Sequence, residues 1–138
     1  MRTLRPADYR VMPWKNGLGA TTELVVEPPG AALDAFDWRL SIAELRASGP
    51  FSSFAGYDRV IAQLDGAPMT LTHGTRAPVR LEARVPHAFS GDEATTCEVG
   101  GVAHDFNLMV RRDFARASLV AVTLEAGASL LRSPRRSR

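Results

Sequence analysis

Short runs of alternating apolar and polar residues, cut every few positions by glycine or proline, constrain this chain more than any other feature. Phe36, Trp38, Leu40 and Ile42 alternate with Asp37, Arg39 and Ser41, and Phe106, Leu108 and Val110 alternate with Asp105, Asn107 and Met109. Val60, Ala62 and Leu64 run up to Asp65-Gly66, Met69 and Leu71 follow, then Val79 and Leu81, and Cys97 and Val99 precede Gly100-Gly101. A period of two sends successive side chains to opposite faces of an extended strand, whereas a helix needs a period of 3.6. Residues 31–48 and 107–126 lack both Gly and Pro and hold enough Ala, Leu and Arg for helix. The alternation in 36–42 fits a strand better, residues 113–117 are left open as a helical turn, and Leu119 to Leu124 reads as a last strand. Eleven glycines and nine prolines keep the runs short, and short, regularly spaced strands between turns predict an all-β sandwich or barrel.

A chain of 138 residues has the size of one domain and can hide about two-thirds of its unfolded surface. With 45% apolar and 23% charged residues the body has a globular composition, which excludes disorder for it. The 17 basic residues only just outnumber the 15 acidic ones, and Arg132, Arg135, Arg136 and Arg138 crowd the last seven positions. Without them the balance turns mildly acidic, so no basic face for nucleic acid is expected, and residues 132–138 read as a solvated, disordered tail. No apolar run approaches the roughly 18 residues of a membrane helix, and the first residues lack the apolar stretch of a signal peptide. Cytoplasm is the expected compartment. Cys97 is the single cysteine, so no internal disulfide forms, and its strand-like neighbours predict a small buried side chain.

Three polar clusters carry the candidate chemistry. The first, residues 13–23, joins Trp14, Lys15, Asn16, Gly17, Gly19, Thr21 and Glu23. Asn-Gly is a turn signal, lysine brings a compact positive charge, and tryptophan an apolar wall with one donor. A hairpin loop with a solvated lysine and a core tryptophan explains the same residues, and no helix follows to make a dinucleotide fingerprint. In the second, Arg39 and Ser41 share one strand face, and Arg59 follows the run Gly49-Pro50-Phe51-Ser52-Ser53-Phe54. That face either lines a barrel interior, where Arg39 and Arg59 can each grip a carboxylate with two prongs, or forms the wet side of a half-buried sheet. The third places Asp105 and Asn107 on one face, about 7 Å apart, with the same two readings. His73, His87 and His104 stand far apart with no His-x-His pair, against the compact motifs in which metal ligands arrive. No metal and no cofactor is expected, and no Gly-x-Ser-x-Gly marks a nucleophile.

Taken in order, these clusters resemble the HutD/Ves family. The matching stretches are Pro13-Trp14-Lys15-Asn16-Gly17 with Gly19, Thr21 and Glu23; Asp37-Trp38-Arg39-Leu40-Ser41-Ile42-Ala43-Glu44; Gly49-Pro50-Phe51-Ser52-Ser53-Phe54 with Gly56, Asp58 and Arg59; Phe89-Ser90-Gly91-Asp92; and Asp105-Phe106-Asn107-Leu108-Met109 with Arg111 and Arg112. They span about residues 4 to 124. The resemblance implies a cupin-like (RmlC-like jelly-roll) barrel over residues 1–131, in the family a bicupin, here with a shortened second barrel. It implies a place near bacterial histidine utilisation, where the protein binds a small carboxylate metabolite, formylglutamate being favoured, and restrains the pathway without catalysing a step. By motif match the polar pocket residues fall on Lys15, Asn16, Thr21, Glu23, Arg39, Ser41, Arg59, Asp105 and Asn107. Two departures stand out. Family members carry more chain after the Asp-Phe-Asn motif, so open strand edges and a homodimer are expected here. The usual glycine between Gly17 and Gly19 is Leu18.

Two further readings compete with the binding protein. One is a metal-independent isomerase or lyase acting on a small acid, with Glu23 or Asp105 as base. The other is an interaction domain that works through its tail.

Overall fold

In a computed structural model of the chain, residues 9–33 and 35–113 are described, together with the paired strands Ala115–Arg116 and Arg135–Arg136. Every regular element among them is a strand: β1 (Arg10–Pro13), β2 (Gly19–Glu27), β3 (Trp38–Leu45), β4 (Gly49–Pro50), β5 (Tyr57–Gly66), β6 (Met69–His73), β7 (Val79–Arg80), β8 (His87–Ser90), β9 (Thr95–Val99), β10 (Ala103–Arg111), β11 (Ala115–Arg116) and β12 (Arg135–Arg136). A six-stranded sheet runs β1-β2-β3-β10-β5-β8 and a four-stranded sheet runs β4-β9-β6-β7. All strand pairings are antiparallel. The expected strand at Leu119 to Leu124 and most of the expected basic tail lie outside the described residues. Of the span left open as a helical turn, Asp113 lies in a turn and Ala115–Arg116 form β11, paired with β12.

The predicted alternation in 36–42 is realised in β3, but the face turned inward is the polar one. Arg39, Ser41, Ala43 and Leu45 are buried while Trp38, Leu40, Ile42 and Glu44 are half-buried. The interior changes character along its length. At one end Leu45, Ile61, Met69, Leu71, Cys97 and Ala103, none more than 1% exposed, pack the two sheets together. Each large aliphatic among them contributes about 1.5–3 kcal/mol by leaving water. At the other end the inward rows are polar and enclose a cavity. Near the site β2 turns Thr21 and Glu23 inward, and β8 has a single buried apolar residue, Phe89, so both escape detection by apolar periodicity. In β2 a bulge between Glu23 and Val25 also resets the alternation, leaving both Val25 and Val26 buried.

Turns close where the dipeptides signalled them. Gly17 takes a φ of 74° in the β1–β2 hairpin, and the Leu18 N–H donates to Asn16 Oδ1 at 2.9 Å. Leu18, in place of the family's glycine, keeps a negative φ and lays its side chain against Gly49.

A tighter corner joins β5 and β8. The Gly91 N–H donates to the Tyr57 carbonyl and its own carbonyl accepts from the Phe54 N–H, each at 2.8 Å. Asp92 accepts from the Gly56 N–H at 2.7 Å, and Arg112 bridges Asp58 and Asp92 at 3.0 and 3.1 Å. The backbones approach so closely that a Cβ on residue 91 would sit 2.3 Å from the Phe54 carbonyl oxygen.

On the far side of β8 a histidine pair crosses between the sheets. His87 Nε2 lies 2.9 Å from His73 Nε2, and His73 Nδ1 lies 2.8 Å from Thr95 Oγ1. The Thr95 hydroxyl is directed at the Glu93 carbonyl, 3.4 Å away. One direction satisfies the chain: His87 donates to His73, His73 donates to Thr95, and Thr95 donates to Glu93. His73, which accepts at Nε2 while donating from Nδ1, must then be neutral, and burial lowers the pKa of both imidazoles.

Two outcomes follow. Gly91→Ala forces the Phe54 corner apart and lowers the melting temperature by several degrees, in line with the 1–3 kcal/mol cost of overpacking; thermal denaturation measures it. For the histidine pair, a folded pKa below the unfolded value of about 6.5 means the unfolded chain binds more protons. The pair's stabilisation is therefore complete above that pH and drains away as pH falls toward the folded values. The drop in melting temperature between pH 8 and pH 5.5 will be smaller in His87→Gln, which keeps an amide donor but does not titrate, than in the parent protein.

Candidate functional site

Sheet register puts the polar residues into rungs. Glu23 pairs with Ser41, and Ser41 with Asn107. One rung on, Thr21 pairs with Ala43, Ala43 with Asp105, and Asp105 with Gln63. On the opposite side Met109 pairs with both Arg39 and Arg59. Positions two apart on an antiparallel strand share a face, so Asp105, Asn107 and Met109 of β10 stand beside Arg39, Ser41 and Ala43 of β3. They line a cavity of about 530 Å³, a size suited to a small metabolite. The β1–β2 loop forms one side of its rim, with exposed Lys15 and Asn16. Trp14 is fixed there by an Nε1–H donation to Thr21 Oγ1 at 2.8 Å. Leu33, Pro50, Phe51, Ser52 and Phe54 add to the lining.

Arg59 is 6% exposed. Its Nη2 donates to Asn107 Oδ1 at 3.2 Å and its Nη1 to the Ser52 carbonyl at 3.4 Å. The guanidinium carbon lies 5.6, 5.4 and 4.8 Å from the ring centres of Phe51, Phe54 and Phe89. These rings hold the charge in place while they exclude water. Burial lowers the pKa of Arg59 to about 10, with Asp105 pulling the other way, so the group stays cationic at neutral pH. Arg39, equally buried, has Glu23 as counter-charge at 3.7 Å, and desolvation lowers its pKa against the pull of Glu23.

Asp105 is 0% exposed. The Asn107 amide donates to its Oδ1. Burial raises its pKa to about 7, outweighing the opposing influence of Arg59 and of the Asn107 hydrogen bond. Three buried polar atoms on these lining residues find no hydrogen-bond partner among the described residues: Arg39 Nε, Arg59 Nε and Asp105 Oδ2. Buried polar atoms are nearly always satisfied, so three orphans around one cavity mark places where a ligand's or water's polar atoms fit.

Of the nine residues singled out from sequence, eight line this cavity: Lys15, Asn16, Thr21, Arg39, Ser41, Arg59, Asp105 and Asn107. Glu23 does not, and serves Arg39 as its counter-charge. The Asn16 carbonyl oxygen is occupied by the turn. Sequence reasoning passed over Phe51, Phe54 and Met109 as wall residues, since an apolar side chain in a strand-rich chain reads as core. The spacing of Phe51 and Phe54 ahead of Arg59 was the available signal. The histidines do not gather at the cavity. His73 and His87 form the cross-sheet pair, while His104 sits between Asp65 at 2.6 Å and Glu44 at 3.2 Å, which raise its pKa. Among the described residues no three His, Cys, Asp or Glu side chains converge as a metal site requires.

Comparison with known proteins establishes the chain's kinship. The sequence model of the HutD family matches residues 6–137. The chain is 43% identical over 120 residues to the uncharacterized 21.2 kDa protein in the hutC 3' region of Pseudomonas putida, covering 86% of this chain and 63% of the relative. It is 38% identical over 117 residues to protein Ves of Cronobacter sakazakii, covering 81% and 63%. Among solved structures, HutD from Pseudomonas fluorescens SBW25 superposes with a TM-score of 0.73 at 45% identity, over 80% of this chain and 60% of that one. The conserved protein PA5104 from Pseudomonas aeruginosa PAO1 gives 0.75 at 47%, over 80% and 57%. This chain thus spans about three-fifths of the length of these relatives. At 10% identity, the cupin domain of Schizosaccharomyces pombe Cnp3, with a TM-score of 0.54 over 67% of this chain and 61% of that one, shares the fold alone. The architecture is therefore a cupin-type all-β fold, and the chain belongs to the HutD family.

Proposed function

We propose that this protein captures a small carboxylate metabolite in the cavity between β3, β5 and β10, and that it does so to regulate histidine utilisation. The carrying observation is that Arg39 and Arg59, both buried, line one cavity and each have an Nε–H without a hydrogen bond among the described residues, that of Arg39 lying 3.7 Å from its counter-charge Glu23. A carboxylate bound to a desolvated guanidinium forms charge-assisted hydrogen bonds, about twice as strong as neutral ones. Trp14, Phe51 and Phe54 provide the apolar surroundings in which such bonds gain strength. The family's link to the hut locus, seen in the P. putida relative, makes formylglutamate the favoured occupant. The proposal covers a cytoplasmic protein and, for the longer relatives, a bicupin whose second barrel uses the additional chain.

A second reading draws on Asp105. A buried carboxyl with a pKa near 7 suits a proton shuttle in a metal-independent isomerase or lyase. Prolonged incubation of the bound acid with protein, followed by NMR, separates the readings: a new product favours the enzyme, unchanged acid the binder.

Formylglutamate at a hundredfold excess over its Kd will stabilise the fold by about 2.7 kcal/mol, a rise of several degrees in melting temperature. Arg59→Ala will abolish that rise. If no acid of the histidine pathway shifts the transition, the binding proposal is wrong.

A further inference from the structure

Asn107 separates two groups that would otherwise neutralise one another. Its amide donates to Asp105 Oδ1 while its oxygen accepts from Arg59 Nη2. Arg59 is thereby held without being paired to Asp105, and its charge remains available to an incoming anion. Asp105 Oδ2 is left buried beside the same cavity with no partner among the described residues. A ligand carboxylate drawn in by Arg39 and Arg59 arrives next to a second carboxyl group. Two carboxylates in contact away from water cannot both stay ionised at reasonable cost. A carboxylic acid facing a carboxylate forms one of the shorter and stronger hydrogen bonds available.

We propose that the cavity takes up its anionic ligand together with one proton, held on Asp105, which then donates a hydrogen bond from Oδ2 to the ligand's carboxylate. The inference rests on the small-acid reading above and adds proton linkage to it. The proton comes from solvent and returns there on release.

The surroundings of Asp105 fit this role on every side. From β2 come Thr21 and Glu23, the latter balancing Arg39. From β3 come Arg39 and Ser41, and from β5 Arg59, already engaged by Asn107 and Ser52. From β9 comes Cys97, whose thiol is pushed up to about 12 by burial and by Asp105, and so stays neutral. Along β10 itself lies His104, which is held by Asp65 and Glu44 on the outer face. Lys15 stands at the rim, exposed. In the unliganded protein burial already places the Asp105 proton near pH 7, so a modest push from a bound anion completes protonation.

The test is calorimetric titration of N-formylglutamate, whose own carboxylates stay ionised near neutrality, into the full chain. It is run at pH 6, 7 and 8 in buffers of different ionisation enthalpy; the slope of observed against buffer enthalpy counts protons. Uptake will be close to one proton at pH 8, about half at pH 7 and near zero at pH 6. The dissociation constant will rise about tenfold per pH unit above 7. Asp105→Asn, whose amide can donate without titrating, will bind with no uptake and a flat pH profile. His87→Gln and His104→Gln will retain the uptake. Binding without proton uptake at pH 8, or uptake that survives in Asp105→Asn, overturns the proposal while leaving the small-acid reading intact. Absence of binding by this and related acids removes both. Should Asp105→Asn fail to fold, the uptake profile of the parent protein decides alone.

Discussion

Strand β10 is the constraint on which the rest depends. It lies late in the described chain yet fills the gap between β3 and β5, pairing with eight consecutive residues of β3 and running the length of β5. Neither neighbour can complete its hydrogen bonding without it, and an unpaired buried strand edge is costly. The same insertion sets the chemistry. It delivers Asp105, Asn107 and Met109 to the middle of the sheet, Asn107 on a rung with Ser41 and Met109 on a rung with Arg39 and Arg59. The site is thus built on the most central strand, where side chains are held by two partners, and only its rim is made of loops. A register slip of one residue would exchange Asp105 and Asn107 for Phe106 and Leu108 and place apolar side chains over the arginines.

Such a site is expensive to fold. Two guanidinium groups and a carboxyl leave water, and their partial pairings do not recover all that hydration gave. The molecule offsets this in two ways. Three aromatic rings surround Arg59, and the opposite end of the interior is packed mainly with aliphatic, sulfur and aromatic side chains. The dry half stabilises what the polar half strains, a common division between scaffold and site. The cation–π shell also explains why Phe51 and Phe54 lie on a short tether closed by Gly91: the corner must be rigid for the rings to stay over the charge.

The longer strands were legible from period-two alternation, clearest in β3, β6 and β9, which bury alternate residues; β5 and β10 bury both faces along part of their length. What the alternation could not disclose was which face of β3 points in. A stripe of Arg39 and Ser41 reads equally as solvent-facing or cavity-lining, and only its pairing with β10, sixty-odd residues away, decides it. Strand β2 was missed for a related reason: its inward side chains near the site are Thr21 and Glu23, and a bulge breaks its rhythm beyond them. Candidate site residues came through motif resemblance better than through local chemistry. Even so, Glu23 belongs to the arginine's electrostatic support and not to the cavity wall, a distinction carried by a 3.7 Å contact that spacing cannot reveal. The aromatic wall went unread because nothing in a lone Phe distinguishes a cage from a core.

The polar end of the interior has one more consequence. Arg39 Nε, Arg59 Nε and Asp105 Oδ2 have no hydrogen-bond partner among the described residues. Any occupant that satisfies them returns stability to the entire sheet, because the atoms concerned sit on β3, β5 and β10 together. Occupancy and rigidity are therefore coupled through the central strands and not through a hinge or lid. On the proposed reading, a bound acid would be reported by how firmly three adjacent strands hold one another.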